Sequence, residues 1–115
     1  MTTSSEKSIT EQIAELNDVC RTAMGIAGLC FMTPGIQALP EDDQSRIREK
    51  VELYDDFTPD NDPYGERDLG RFEHNGQTIM WKIDYYDLNL EYGSDDPANP
   101  AITRRVLTIM LASEY

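Results

Sequence analysis

Bases are the scarce residues of this chain. Ten Lys and Arg stand against 22 Asp and Glu, a formal charge of −12. A field of that sign repels phosphates, which excludes nucleic acid as a direct ligand and disfavours an anionic membrane surface. Cysteine is nearly absent. Cys20 and Cys30 lie ten residues apart, a spacing that fits no zinc pattern, and no second pair exists. They read as small buried hydrophobes, kept reduced in a cytoplasmic chain. The single histidine, His74, has no Ser-His-Asp or Cys-His motif around it. Beside a hairpin turn it reads as an exposed structural residue. No run approaches the ~20 apolar residues that cross a bilayer. Residues 1–8 are polar and lack the apolar core of a secretory signal, so they are expected to form a flexible tail. Gly25-Ile26-Ala27-Gly28 lacks the Lys and the preceding strand of a phosphate loop. There is no basic aromatic strip for single strands.

What is present is one-sided. Residues 41–96 hold 17 of the 22 acids and 6 of the 10 bases, which is −11 of the total −12. Six Tyr, three Phe and one Trp, with 39% hydrophobic residues, suffice for one core in 115 residues. A single domain over residues 9–115 is expected.

Ile9, Ile13, Leu16, Val19/Cys20 and Ala23/Met24 recur at helical spacing, with Ser8 or Thr10 as cap and Gly25 as stop. Residues 28–33 form a short apolar run closed by Pro34-Gly35, a buried strand. Pro40 opens a second helix whose first turn carries Glu41, Asp42 and Asp43, favourable to the macrodipole. Residues 58–68 are turn-rich and acidic. Asn75-Gly76 then joins two strands, because a type I′ turn needs positive φ at both positions. The two-residue turn sets His74 against Gln77, Phe72 against Ile79 and Gly70 against Trp81. Gly70 leaves room across from the indole. The face bearing Arg71, Glu73, Thr78, Met80, Lys82 and Asp84 should be mostly wet. Leu88, Leu90 and Tyr92 alternate with polar residues as a third strand or an extension of the second. Asn99-Pro100 is expected to start a last helix with Ile102, Val106 and Ile109 on its inner stripe. The fold class is α+β: a small antiparallel sheet of about three strands with three helices on one face, in the order α-β-α-β-β-α.

The strings FTPDNDPYGE at 57–66, WKIDYYD at 81–87, the Tyr-Gly-Ser and Asp/Pro/Ala pattern across 92–100, and RVLTIMLASEY at 105–115 resemble a bacterial family, domain of unknown function 3768. The earlier half matches it only in layout. The resemblance brings no activity. It implies a small bacterial protein often encoded on plasmids and other mobile elements, a setting that suggests counteraction of host defence.

The candidate site follows from charge. Asp60, Asp62, Glu66, Asp68, Asp84, Asp87, Glu91, Asp95 and Asp96 would stand in for phosphates on a basic, nucleic-acid-binding surface of another protein, with Tyr64 and Tyr92 as anchors. This reading is a non-enzymatic inhibitor, a nucleic-acid mimic acting on a defence nuclease complex such as CRISPR or restriction. No cofactor and no catalytic residue are expected. A second reading is a divalent-metal or acid–base enzyme on Asp60, Asp62, Asp68 and Asp84. Asp60, Asp62, Gly65 and Asp68 fit positions 1, 3, 6 and 9 of a calcium loop, but Tyr64 and Arg71 occupy ligand positions and Pro63 intrudes. Against that, Asp side chains in such a turn commonly bond their own backbone. A third reading is a plasmid-maintenance interaction protein, acidic for solubility alone.

Overall fold

The computed structural model describes residues 7–115, and residues 1–6, most of the expected tail, lie outside the described residues. Lys7 and Ser8 are engaged by the first helix. Ser8 caps α1 (Ile9–Thr22), its hydroxyl accepting from the Glu11 amide at 3.0 Å. Lys7 pairs with Glu15 at 2.7 Å. The strand β1 (Leu29–Met32) and the short α2 (Pro34–Gln37) follow, then α3 (Glu41–Glu52) with Pro40 as its N-cap. The hairpin β2 (Leu69–His74) and β3 (Gln77–Tyr86) has the register expected from its turn: His74 opposes Gln77, Phe72 opposes Ile79 and Gly70 opposes Trp81. Asn75 and Gly76 hold φ of 51° and 81°, the two positive values a type I′ turn requires.

The C-terminal segment departs from expectation. Residues Arg104–Leu111 form a strand, β4, and not a helix. Its apolar residues divide between two faces: Leu107 and Ile109 join the core, while Val106 and Met110 lie on the opposite side. A two-sided apolar strand shows no clean alternation, so its periodicity passes for a helix. The Asn99 side chain accepts from the Ala101 amide at 3.0 Å, closing a turn where a helix start was expected. Residues 88–92 are neither a third strand nor an extension of β3. They turn back, with the Asp87 amide bonded to Tyr92 O at 2.8 Å and an isolated bridge from Tyr86 to Gly93.

The sheet is therefore four-stranded and mixed, in the order β1-β4-β3-β2, with β1 parallel to β4 and the other pairs antiparallel. The class is α+β with three helices, and those helices cover one face. Cys20 of α1, Ile36 of α2 and Ile47 and Val51 of α3 pack on Ile79, Trp81, Ile83, Leu107 and Ile109. Each such fully buried side chain contributes about 1.5–3 kcal/mol relative to exposure. No described helix contributes to a core on the other face, where Met80 and Met110 are nonetheless only 5% and 3% exposed. The chain ends in a 3₁₀ turn (Ala112–Glu114) whose Glu114 carboxylate accepts from Thr33 Oγ1 at 2.6 Å and the Gly35 amide at 3.0 Å. No described helix is long and apolar enough to cross a membrane.

Candidate functional site

Antiparallel pairing of β2 and β4 with β3 puts three strand ends side by side: the start of β2, the end of β3 and the start of β4. The segments 53–68 and 87–103 both issue from that end. Together they carry ten acids and one base, Arg67. Topology thus delivers the predicted residues to one end of the sheet, with Asp84 close by on β3.

The first acidic segment is tied down closely. Phe57 stands edge-on to Tyr54 and Trp81, with ring centroids 5.1 and 6.2 Å away, and anchors the segment to the core. The Arg21 guanidinium, 5% exposed, lies 5.4 Å from the Phe57 ring centroid and donates to Val51 O and Glu52 O at the end of α3. The Asp62 carboxylate accepts from the Arg67 amide at 3.1 Å, five residues on, and closes the turn between them. Arg67 itself sits at φ 52° and forms a fork on Asp18 of α1, with Nε at 3.0 Å from both oxygens and Nη2 at 2.7 Å from one. Asn17, wholly buried, donates from Nδ2 to Glu66 O at 2.9 Å and to Tyr85 Oη at 2.8 Å. Its Oδ1 accepts from Arg105 Nε at 2.7 Å. Arg105 reaches on to Pro97 O at 2.6 Å, so one buried residue of α1 links both acidic segments. Burial pulls the Arg105 pKa down, and no carboxylate pairs with it among the described residues. Tyr85 donates to the Glu66 carboxylate at 2.7 Å. Burial first, and that acceptor second, push its phenol well above the ordinary range.

The acids fall into four kinds. Asp62, Glu66, Asp87 and Asp96 accept hydrogen bonds that hold their own loops. Asp84 pairs with Lys82 at 3.0 Å on the same strand. Asp68 is half-buried, and its carboxyl is raised above the usual range by burial and then by Glu66, Asp62 and Asp84 around it. Asp60, Glu91 and Asp95 are exposed, and their carboxylates bond no described residue. Tyr64 and Tyr92 stand 77% and 73% exposed beside them, too bare for core residues. An open cleft of about 320 Å³, with Gly70 in its lining, lies between Tyr54, Asp56 and Asp60. Asp60, Asp62 and Asp68 do not converge, and among the described residues no three His, Cys, Asp or Glu side chains are placed to hold a metal ion.

His74 differs from expectation. It is 5% exposed, with Nε2 at 2.9 Å from Asp43 and Nδ1 at 3.0 Å from Lys50 Nζ. An ammonium only donates, so Nδ1 accepts and the ring proton lies on Nε2. Sequence reasoning also missed Asn17, Asp18, Arg21 and Arg105. A signal was there, because Asn17 and Arg21 interrupt the stripe of α1 that carries Ile13 and Cys20.

A family model described as protein of unknown function (DUF3768) matches residues 32–114, most of the chain. The match begins after α1, which supplies Asn17, Asp18 and Arg21. No curated protein and no solved structure matches the sequence.

Proposed function

This chain belongs to the DUF3768 family, and we propose that it is a non-enzymatic binding protein. Its acidic sheet end occupies a basic, nucleic-acid-binding surface of another protein. The observation that supports this reading is the convergence of two segments, with ten acids and one base, on one end of the sheet. The lone base is already paired with Asp18. Carboxylates there satisfy Lys and Arg that otherwise hold phosphates, so the protein competes with nucleic acid for the same cations. Tyr64 and Tyr92 add exposed aromatic area of the kind interfaces use as anchors. Inhibition of a bacterial defence nuclease complex is the form of this activity that suits the mobile-element setting implied by the family resemblance.

The test is capture from a bacterial lysate on tagged protein at low and high salt, with mass spectrometry of what elutes. A nucleic-acid-processing complex should be released by salt, and added protein should displace nucleic acid from that complex. Asp60→Lys, Glu91→Lys and Asp95→Lys combined alter only carboxylates without a described partner, so the fold is retained while capture is lost. Equal capture by this triple variant, or recovery of the bait alone, refutes the reading.

A further inference from the structure

Lysine occurs at three positions, and two of the three do what ammonium groups do in a chain with 22 acids. Lys7 pairs with Glu15 at 2.7 Å and Lys82 with Asp84 at 3.0 Å. Lys50, exposed in the last turn of α3, forms no ion pair among the described residues. Its Nζ lies instead 3.0 Å from His74 Nδ1, with Glu73 O at 3.3 Å and the Phe72 ring centroid at 5.8 Å. The imidazole is held from behind. Nε2 donates to Asp43 Oδ1 at 2.9 Å, and Asn75 Nδ2 donates to the same oxygen at 3.0 Å. With the ring proton on Nε2, Nδ1 carries a free electron pair and only accepts. His74 is 5% exposed, so Lys50 is the group that reaches that nitrogen. Amine, imidazole and carboxylate thus stand in the order of a nucleophile, its base and the group that orients the base.

We infer that Lys50 is a site of acylation, taking its acyl group from a thioester. As the free amine, Nζ keeps one N–H on His74 Nδ1, which turns its lone pair away from the ring and towards solvent. The lone pair attacks the thioester carbonyl, and the Nζ–carbon bond forms. The nitrogen becomes positive, and its proton passes to Nδ1, where the Asp43 carboxylate stabilises the imidazolium. The carbon–sulfur bond then breaks, and the departing thiolate takes the proton from His74. The products are an ε-amide and a free thiol, and His74 ends as it began. An amide is stable, so the reaction stops there: Lys50 is modified and nothing turns over. Acylation makes the formal charge of −12 one unit more negative and ends the attraction of the ammonium for the Phe72 ring. His74 adjoins the Asn75-Gly76 turn, at the other end of the hairpin from the acidic segments, so this inference does not rest on the proposed function.

Incubation of the full chain with acetyl-coenzyme A at mildly alkaline pH tests it, with peptide mass spectrometry following each lysine over time. Lys50 should be acetylated at least about tenfold faster than Lys7 and Lys82, and in urea the three should react alike. His74→Asn leaves an amide oxygen near the place of Nδ1 but no base. Asp43→Asn keeps the ring and removes the charge that stabilises its protonated form. The first should bring Lys50 down to the rate of the other two lysines, and the second should slow it severalfold, with Lys7 and Lys82 unchanged in both. If His74→Asn fails to fold, Asp43→Asn carries the test, because its amide oxygen still accepts from His74 and Asn75. Equal rates for the three lysines in the parent chain overturn the inference. A preference for Lys50 that survives in urea, or undiminished in the folded variants, does the same, since it marks an accessible side chain and no more.

Discussion

Gly70→Ala adds one methyl group where the packing leaves no space for it. A Cβ at that position would lie 2.5 Å from Trp81 Nε1 and 2.6 Å from Tyr54 Cζ, about 1 Å inside ordinary contact distance. Neither ring can yield cheaply. Trp81 is wholly buried, and Tyr54 stands edge-on to both Trp81 and Phe57, at 5.5 and 5.1 Å. Overpacking of this kind costs about 2 kcal/mol. Replacing a strand glycine by alanine returns ~0.5 kcal/mol, because the unfolded chain loses freedom and Gly70 needs no positive φ. The net loss is about 1.5 kcal/mol. For a urea slope of about 1.5 kcal/mol/M, the unfolding midpoint falls by about 1 M. Tyr54→Ala opens the same space, so Gly70→Ala should cost at least ~1 kcal/mol less in that background. Unchanged or increased stability in Gly70→Ala would mean that the aromatic wall of the cleft beside Asp60 is not rigid. Additive losses in the double variant would show that the clash is not with Tyr54.

Three other outcomes follow from the same contacts. The raised carboxyl of Asp68 means that the native state binds its proton more tightly than the unfolded chain does. Stability is therefore lost as pH rises from the ordinary value of 3.8 through the raised one, and the loss persists at neutral pH. Asp68→Asn should be more stable than the parent at pH 7 in urea titrations, with the gain vanishing below pH ~3.5, and equal stability at pH 7 refutes the assignment. Burial pushes the Cys20 thiol up to about 11, so at pH 8 it should react with a maleimide on the order of a hundredfold more slowly than in urea, and equal rates would deny the burial. Asn17→Ala strips the buried Arg105 guanidinium of an acceptor at 2.7 Å and should cost about 3 kcal/mol in thermal unfolding, where a change under 1 kcal/mol would show that water replaces it.

The legible parts of the fold are those in which local chemistry and tertiary packing agree. Asn75-Gly76 sets its own dihedrals and so fixes six residue pairs of the hairpin. Helices α1 and α3 announce their starts with Ser8 and Pro40 and their inner faces with Ile13 and Ile47. β4 was not legible because both its faces are apolar and its parallel neighbour, β1, lies some seventy residues earlier. Met80 was expected to be wet and is 5% exposed, shielded in part by Arg71, whose Nη2 lies 3.4 Å from its sulfur. For the candidate site, composition located the acids, and only the sheet topology showed that they share an end. The residues that hold them there were hidden, because Asn17 and Arg21 look like errors in an apolar stripe until Arg105 and Val51 are placed against them.

Those hidden residues explain why the acidic end is a shaped surface and not merely a charged one. Arg21, Arg67 and Arg105 are three of only ten bases, and all three are used beneath the acids, on Val51 and Glu52, on Asp18, and on Asn17 and Pro97. Arg67→Ala separates charge from shape. It removes the fork on Asp18 and makes the chain more negative by one, so electrostatics alone predicts equal or tighter binding to a basic surface. Preorganisation predicts the reverse. Residues 58–68 would then be held to α1 only through Asn17 on Glu66 O, and ordering the loosened loop again on binding would cost about 1–2 kcal/mol, a loss of roughly tenfold in affinity. The part-buried fork itself contributes only ~1 kcal/mol to folding, so the protein remains folded for the measurement. Calorimetric titration with the captured partner, at two salt concentrations, decides between them. Weaker binding with an unchanged salt slope indicates that the tethered loop is the recognition element. Tighter binding would mean that a cloud of carboxylates is sufficient and that the fork serves the fold alone.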